Sequence, residues 1–350
     1  MKTNVCIIGH FGANKAFRDG QTVKTRILEQ AFRSYASEKL NIFKVDTYYY
    51  KHYIFRFLYQ LTAGICSCNR IVLCVSKGGR RIFFPLMYLL AKVFGKKIFH
   101  CAIGGRLAEE VRESDKWKRY VNSFQNNWVE SIVLAEELKS LGVSHAEYMT
   151  NFKILPDITV EDLPAKANQP MAFCTFSRVA EEKGITDAVH AVIAVNEGAL
   201  QPRVRLDIYG PIQKGYEATF QKLMELAPES IRYCGEVEPD QSVEILKQYD
   251  MMLFPTYWRG EGIPGSVIDA LCAGLPIIAR KWRYCDEMLS HGITGLCYDF
   301  DHPELLSDWI AFAVSNPEEI AAMRKNCLAA AEKFRARSVV PRMVEQLLEG

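Results

Sequence analysis

Residues 254–279 read FPTYWRGEGIPGSVIDALCAGLPIIA and join a strand end, a loop rich in glycine and proline, a helix start and a second apolar strand. The loop glycines let backbone approach a ligand closely, and the helix expected near Ser266 offers unpaired N–H groups to an anion such as phosphate. Two acids lie eight positions apart, Glu261 on the loop and Asp269 in the expected first helical turn. One acid can reach toward the ribose of a nucleotide and the other toward a sugar. The stretch therefore predicts a nucleotide-sugar site.

Short apolar strands alternate with helical patterns on both sides of this stretch, and 350 residues suffice for about two domains. This βαβ order predicts parallel sheets with helices on both faces. We predict an α/β protein in which two Rossmann-like domains face each other across a cleft that binds the ligand. The expected boundaries are 1–150 for an acceptor-side domain, 151–335 for a nucleotide-sugar-binding domain, and 336–350 for a C-terminal helix that packs back on the first domain.

The charge is divided unevenly along the chain. Residues 1–150 carry 23 Lys/Arg against 12 Asp/Glu, a balance of +11, and residues 151–350 carry 20 against 29, a balance of −9. A basic half suggests an anionic partner, such as nucleic acid, an anionic bilayer or a phosphate-bearing substrate, or else a solvated face that binds nothing. No ordered platform of basic and aromatic residues supports nucleic acid. Residues 48–59 (YYYKHYIFRFLY) could rest on a bilayer, but a packed core helix is the interpretation we favour.

Eleven cysteines occur without the spacing of a metal site or a disulfide framework, which indicates buried thiols in a reducing cytoplasm. The closest pair, Cys66 and Cys68, has no second pair or histidine cluster nearby, so zinc is not expected. The start MKTNVCIIG is too short in apolar residues for a signal peptide, and no charge-free run is long enough to span a membrane. We expect a cytoplasmic protein.

A basic pair follows another predicted strand, in residues 173–185 (FCTFSRVAEEKGI). Arg178 and Lys183 place a guanidinium and an ammonium on one turn before a helix. Together they can neutralise a diphosphate and stabilise it as a leaving group without a metal ion. The pair alone is a common pattern, but in combination with the Glu261 loop it becomes specific.

Residues 177–184 (SRVAEEKG) and 261–278 (EGIPGSVIDALCAGLPII) resemble the donor domain of the retaining GT-B glycosyltransferases of family 4. The resemblance covers about residues 171–300 and includes YGP at 209–211 and CGEV at 234–237. It implies the GT-B fold and metal-independent, hexosyltransferase-type transfer of a sugar from a nucleoside diphosphate to a glycan or lipid-linked acceptor, with retention at the anomeric carbon. No cofactor is implied besides this donor substrate.

The resemblance also implies residue roles. Arg178 and Lys183 would bind the diphosphate, Glu261 the transferred sugar, Asp269 the ribose, and Val237 would lie beside the base. Asp269 departs from the family, which usually has Glu there, and Trp282 begins a bulky stretch where the family is often small. The donor-binding candidates are Gly12, Gly20, Gly210, Val237, Gly262, Ile263, Pro264, Gly265, Ser266 and Asp269.

In the N-terminal half, the family uses a glycine-bearing loop after the first strand to close over the donor phosphate and to contact the acceptor. A structural loop with a solvated lysine is the alternative here, and His10 could be merely hydrogen-bonded. His100 lies three or four residues early for the family's histidine, and we do not expect it to be catalytic. The acceptor-side candidates are His10, Lys24, Gly105 and Arg106.

Residues 299–301 (DFD) spell the metal signature of the other major glycosyltransferase fold, but we expect a helix start there, with Asp301 as cap and Glu304 reaching back. The expected function is sugar transfer in surface polysaccharide or glycolipid synthesis, with peripheral contact to the inner face of an anionic cell membrane. Two alternatives stay open: a nucleotide-sugar isomerase of the same architecture, and a non-catalytic sugar-nucleotide-binding protein.

Overall fold

The computed structural model describes residues 2–15, 17, 19–163 and 169–349. The chain forms two compact units. The first runs to Ile154 and resumes at Phe334, and the second is Leu155–Lys333. The chain therefore passes from one unit to the other twice, and its C-terminal residues belong to the first unit.

The first unit is built on a six-stranded sheet in the order β2-β1-β3-β4-β5-β6, and the recorded pairings are parallel. Gly9 at the end of β1 lies opposite Asp46 on one side and Cys74 on the other, so the carboxyl ends of three strands meet. The strands are β1 Thr3–Gly9, β2 Leu40–Asp46, β3 Arg70–Val75, β4 Lys97–Ala102, β5 Asn126–Val129 and β6 Ala146–Tyr148. The helices between them are α1 Gly20–Ala36, α2 Tyr48–His52, α3 Ile54–Ser67, α4 Lys77–Phe94, α5 Leu107–Glu113, α6 Asp115–Asn122 and α7 Ile132–Ser140.

The aromatic stretch after β2 forms two helices rather than one. Tyr53, with φ −149° and ψ 72°, separates α2 from α3. Tyr49 and Phe57 face the interior, but Phe55 is 85% exposed and Tyr59 is 75% exposed. The expectation of a packed core helix is therefore wrong for the outer face of α3, because only every third or fourth side chain of that helix reaches the core.

The second unit has a second six-stranded parallel sheet, in the order β12-β11-β10-β7-β8-β9. Its strands are β7 Met171–Phe176, β8 Val204–Tyr209, β9 Ile231–Gly235, β10 Met251–Phe254, β11 Ile277–Arg280 and β12 Gly295–Tyr298. Its helices are α8 Ile185–Asn196, α9 Glu217–Leu226, α10 Ser242–Leu246, α11 Gly265–Cys272, α12 Leu305–Ser315 and α13 Pro317–Ala331. The two parallel sheets confirm the predicted pair of Rossmann-like domains.

The last helix, α14 Ala336–Glu349, packs within the first unit. Val340 and Leu347 are fully buried and share one apolar cluster with Phe32 of α1. The side chain of Gln346 accepts a 2.6 Å hydrogen bond from the Trp128 indole of β5, which satisfies a buried N–H. None of the described helices is long and apolar enough to cross a bilayer.

Candidate functional site

The sheet of the second unit changes direction between β7 and β10. From β7 the chain builds outward through β8 and β9, and from β10 it builds the other way through β11 and β12. In parallel α/β sheets, ligands bind beyond the carboxyl ends of the strands at such a switch point. The loop after β7 carries Arg178 and Lys183, and the loop after β10 carries Glu261. The topology therefore brings the two sequence motifs to the same edge of the sheet.

Two glycines allow the loops to approach each other. Gly210 has φ 133°, and a Cβ there would lie 1.9 Å from the carbonyl oxygen of Ser177, the residue before Arg178. Gly184 has φ 70°, and a Cβ there would lie 2.3 Å from the carbonyl oxygen of Pro255. Both positions exclude a side chain on conformational and steric grounds. The turn after β7 thus packs closely against the residues that follow β8 and β10.

Lys183 and Glu261 form an ion pair across the two loops. Their side chains are 13% and 12% exposed, so the pair is largely shielded from water. The hydroxyl of Thr256 lies 3.3 Å from the same Glu261 oxygen and 3.2 Å from the carbonyl oxygen of Glu182, so its proton can be shared between them. The N–H of Tyr257 donates to that carbonyl at 3.0 Å. Backbone and side chain therefore both fasten the loop after β10 to the turn that bears Lys183.

The indole of Trp258 joins the two cations. Its ring centre lies 5.4 Å from the guanidinium carbon of Arg178 and 5.8 Å from Nζ of Lys183, within cation–π range. Arg178 also pairs with Glu182 at 3.0 Å and keeps a side-chain exposure of 41%. Its guanidinium is thus held in place but remains accessible to solvent and to an anionic ligand.

The loop before α11 is fixed by a buried tryptophan. The indole N–H of Trp282 donates to the carbonyl oxygen of Gly262 at 2.9 Å. The N–H of Ile268 donates to the carbonyl of Pro264 at 3.3 Å and closes the first turn of α11. The earlier N–H groups, on residues 265–267, have no acceptor within the helix, because a helix cannot supply one to its first turn.

The structure corrects the position of Asp269. Since α11 begins at Gly265, one residue earlier than expected, the first turn comprises residues 265–268 and Asp269 opens the second. Its side chain is 3% exposed. The remaining donor-binding candidates of this unit lie around the same sheet edge: Ile263 is buried, Ser266 is half-buried in α11, Gly210 follows β8, and Val237 follows β9.

In the first unit, a buried carboxylate shapes the loop after β1. Asp46 accepts hydrogen bonds from the N–H groups of Phe11, Gly12 and Ala13 at 2.9, 3.3 and 2.7 Å, and from that of Tyr48 at 2.9 Å. An acid at the end of the second strand is one element of a dinucleotide site. Here, however, the Asp46 carboxylate already accepts hydrogen bonds from backbone N–H groups of the protein. Gly12 lies in the loop that it holds, with φ 72°.

His10 takes part in a short chain of hydrogen bonds at the start of α1. Its Nδ1 lies 2.6 Å from the hydroxyl of Thr22, which lies 2.6 Å from a carboxylate oxygen of Asp19. Asp19 also caps α1 by accepting from the N–H of Thr22 at 3.1 Å. Gly20 is the first residue of α1, and a Cβ there would meet no atom within 4 Å.

Lys24 is buried rather than solvated. Its ammonium pairs with Glu130 and donates to the carbonyl of Ala102 at 2.8 Å. Burial acts to lower the pKa of Lys24, but the neighbouring Cys101 and Glu130 outweigh it and raise that pKa above its ordinary range. The lysine is thus a charged structural residue that joins α1 to the ends of β4 and β5. Arg106, next to Gly105, is exposed at the start of α5, where it pairs with Glu109 at 2.6 Å.

Two further expectations have clear outcomes. His100 is fully buried in β4, where burial lowers its pKa to about 3, so it is neutral and internal. The cap predicted at Asp301 is wrong: α12 begins at Leu305, and Glu304 contacts His302 at 2.8 Å instead of reaching back to the backbone of Asp301. Glu304 pairs with the side chain of His302 and does not form the predicted capping box.

The structure thus brings Arg178, Lys183 and Glu261 together in the second unit. His10, Lys24 and Arg106 lie in the first unit, where each has partners from the same unit. Sequence reasoning gave no role to Glu182, Thr256 or Trp258. The four-residue spacing from Arg178 to Glu182 was a signal for an ion pair. Nothing in the sequence marked the Trp258 ring as the neighbour of both cations, because that contact depends on the two loops meeting.

Comparison with known proteins identifies the second unit. The family model of the glycosyl transferases group 1 matches residues 161–333. An uncharacterized glycosyltransferase of Methanocaldococcus jannaschii is 24% identical over 155 residues, which are 43% of this chain and 38% of that protein. The GDP-mannose-dependent monoacylated alpha-(1-6)-phosphatidylinositol monomannoside mannosyltransferase of Corynebacterium glutamicum is 26% identical over 159 residues, 44% of this chain and 40% of that protein. Each match thus spans less than half of the curated relative.

A solved structure shares the fold over the whole chain. HepE of Anabaena, crystallised with UDP and glucose, superposes with a TM-score of 0.71 and covers 99% of this chain and 100% of its own, at 12% identity. This likeness confirms the GT-B fold class. The family and both curated relatives are transferases, which does not favour the isomerase interpretation.

Proposed function

We propose that this chain, whose residues 161–333 match the family model of the glycosyl transferases group 1, transfers a sugar from a nucleoside-diphosphate sugar to a saccharide acceptor. One observation carries the proposal. Arg178 and Lys183 both lie within cation–π range of one indole at the switch point of the second sheet, and Lys183 pairs with Glu261 in the loop that leads into α11. Two cations and a helix start form a cradle for a diphosphate.

The cradle suits the leaving group of sugar transfer. As the bond between the anomeric carbon and the diphosphate oxygen breaks, negative charge grows on that oxygen, and preorganised cations stabilise it. We propose that the acceptor oxygen attacks from the face that the diphosphate leaves, and that its proton passes to the departing diphosphate. The anomeric configuration is then retained, and no protein base is required.

The residues around the cradle have complementary roles in this proposal. Glu261, which pairs with Lys183, would bind hydroxyls of the transferred sugar, and the loop at Gly262 would pass close to the diphosphate. The buried Asp269 would serve the ribose from the second turn of α11. The base would lie near Val237, which is half-buried beyond β9.

We propose a glycan or a lipid-linked saccharide as acceptor, in the synthesis of surface polysaccharide or glycolipid. The name of the Corynebacterium glutamicum relative specifies a phosphatidylinositol-linked acceptor, which supports the lipid-linked choice. A lipid-linked acceptor would require work at a membrane surface. The eleven cysteines are free thiols, and thiols stay reduced in the cytoplasm. We therefore propose that the protein acts on the cytoplasmic side of that membrane.

The first test is calorimetric titration of the purified protein with UDP, GDP and ADP and with the matching nucleoside monophosphates. One diphosphate should bind at least tenfold more tightly than its monophosphate, because the second phosphate adds charge-assisted hydrogen bonds. The donor sugars of that nucleotide are then assayed for release of the diphosphate, and NMR of the product identifies the anomer. Equal affinity for the monophosphate and the diphosphate would refute the cradle, and inversion would refute the retaining mechanism.

A further inference from the structure

An exposed apolar face covers one side of the first unit. It is formed by the outer faces of α3 and α4, which we call the α3–α4 surface. Phe55 and Tyr59 are its most exposed side chains. The exposed apolar residues are Ile54, Phe55, Leu58 and Tyr59 on α3 and Ile82, Leu89, Val93 and Phe94 on α4. Large aromatic and aliphatic groups grouped in this way on a surface mark a site of association.

The two helices contact each other through one pair of aromatic rings. The rings of Phe57 on α3 and Phe83 on α4 are 6.0 Å apart, edge to face. Tyr50 of α2 contacts both rings, at 5.6 and 6.4 Å. This aromatic cluster therefore links α2, α3 and α4.

The charge of the same region has a single sign. Residues 47–108 contain ten Lys/Arg and no Asp or Glu. Five of these cations are exposed on or beside the helices: Lys51, Arg56, Lys77, Arg81 and Lys92. The segment itself therefore contributes only positive charge around the apolar side chains.

Exposed apolar side chains together with positive charge indicate which partner binds the α3–α4 surface. A bilayer with anionic headgroups offers an apolar layer for Phe55 and Tyr59 and negative charge for the surrounding lysines and arginines. A second copy of the chain in a two-fold dimer would bring the same cationic surface against itself, which is unfavourable. Charge complementarity therefore favours the bilayer.

We propose that the α3–α4 surface docks the protein on an anionic bilayer, with its aromatic side chains at the level of the headgroups. This proposal rests on the proposed function in one respect, the purpose of docking. A lipid-linked acceptor lies in the bilayer, and docking would bring the protein to it. Docking itself depends only on the surface, so it can be measured without donor or acceptor.

The test is co-sedimentation of the full chain with vesicles of phosphatidylcholine alone or mixed with phosphatidylglycerol, over a series of salt concentrations. Binding should require the anionic lipid and weaken as salt shortens the screening length. Phe55→Ser with Tyr59→Ser should weaken binding at least tenfold, because two apolar contacts are lost. Arg81→Gln with Lys92→Gln should weaken it about 25-fold, or about fivefold for each cation at about 1 kcal/mol.

Matched controls lie on α9 of the second unit. Leu226→Ser removes an exposed apolar side chain and Lys222→Gln removes an exposed cation, and neither should change vesicle binding. Circular dichroism and the melting temperature check that each variant is folded. Binding that ignores lipid charge and salt, or that the α3–α4 variants leave intact, overturns the proposal. A dimer in sedimentation equilibrium that Phe55→Ser with Tyr59→Ser dissociates would assign the surface to a second copy instead.

Nucleotide titration without vesicles keeps the two proposals separate. The α3–α4 variants should bind the nucleoside diphosphate with unchanged affinity, because these residues belong to a different unit from Arg178 and Lys183. A protein that sediments with vesicles but binds no nucleotide would refute the sugar-transfer proposal alone. A protein that binds nucleotide but not vesicles would refute docking alone.

Discussion

Replacing Lys183 by methionine tests the site most directly, because the change keeps the apolar stem and removes only the charge. In the structure the ammonium pairs with Glu261 and lies 5.8 Å from the Trp258 ring. If it also stabilises the leaving diphosphate, Lys183→Met removes a preorganised partner for charge that grows in the transition state. Loss of one such donor costs about 100- to 1,000-fold in kcat, or about 3–4 kcal/mol.

The cost in stability should be much smaller than the cost in rate. Exposed ion pairs contribute about 0–1 kcal/mol, and breaking a fully buried pair costs about 3–5 kcal/mol. The Lys183 and Glu261 side chains are 13% and 12% exposed, and Thr256 also contacts the carboxylate, so we expect about 1–2 kcal/mol. In a unit of this size that corresponds to a fall in Tm of about 2–8 °C.

A double-mutant cycle with Glu261→Gln separates stability from catalysis. The double variant should be less destabilised than the sum of the single variants, because neither partner is left with an unpaired charge. Its activity should stay low, because the double variant also lacks the Lys183 ammonium. The measurements are urea denaturation and the steady-state rate of diphosphate release from the donor that the protein binds.

The matched control for this cycle is Lys222→Met on α9, which removes an exposed lysine of the same unit and should change neither quantity. Lys183→Met with an unchanged rate would show that the cation does not face the leaving group. Recovery of the rate in the double variant would show that Lys183 serves only to neutralise Glu261.

Three further outcomes follow from the described contacts. Gly210→Ala should destabilise the second unit by about 3 kcal/mol, because its Cβ would lie 1.9 Å from the Ser177 carbonyl at a φ of 133°; urea denaturation measures this. Trp258→Ala should weaken nucleoside-diphosphate binding about threefold to tenfold in calorimetry, because Arg178 and Lys183 lose a cation–π partner. For His100, the lowered pKa of about 3 means that the folded state resists a proton that the unfolded chain accepts near pH 6.5. Its stabilising contribution is complete above pH 6.5 and should fall by about 1.4 kcal/mol per pH unit toward pH 3.

Each of these outcomes has its own comparison. Gly215→Ala, at a φ of 91° in open space, should cost only about 1 kcal/mol, so an equal cost at Gly210 would contradict the steric argument. Trp258→Phe should retain most of the affinity that Trp258→Ala loses. In His100→Gln the free energy of unfolding should lose about 2 kcal/mol less than the parent protein between pH 6.5 and pH 5, and parallel pH curves would show that another group titrates.

A strand whose polar residues have distant partners carries little local signal in the sequence. In β5, which reads NNWV, both asparagines are buried. Asn126 donates at 3.0 Å to Gln346 and Asn127 donates at 2.9 Å to the carbonyl of Val121. Gln346 lies 220 positions away on the last helix. No local pattern reveals that the side-chain NH2 groups find acceptors inside the protein, so a strand with two asparagines does not stand out.

The candidate site was predictable to the extent that its chemistry lay in short motifs. The basic pair and the acid loop each showed their charges and glycines, but the burial of Lys24 was not predicted. That lysine is buried because Glu130, 106 positions away, supplies a counter-charge at the end of another strand. Burial of a charge depends on a partner that the tertiary fold provides, and a sequence motif shows only one half of that pair.

The contact between Lys183 and Glu261 explains why the two motifs were informative together. These residues are 78 positions apart, and they meet only because β10 lies next to β7. If another strand lay between these two, the loops that follow them would be about 5 Å further apart. The prediction that both motifs serve one diphosphate requires a sheet in which the two strands are neighbours, and the observed order β10-β7-β8 meets that requirement.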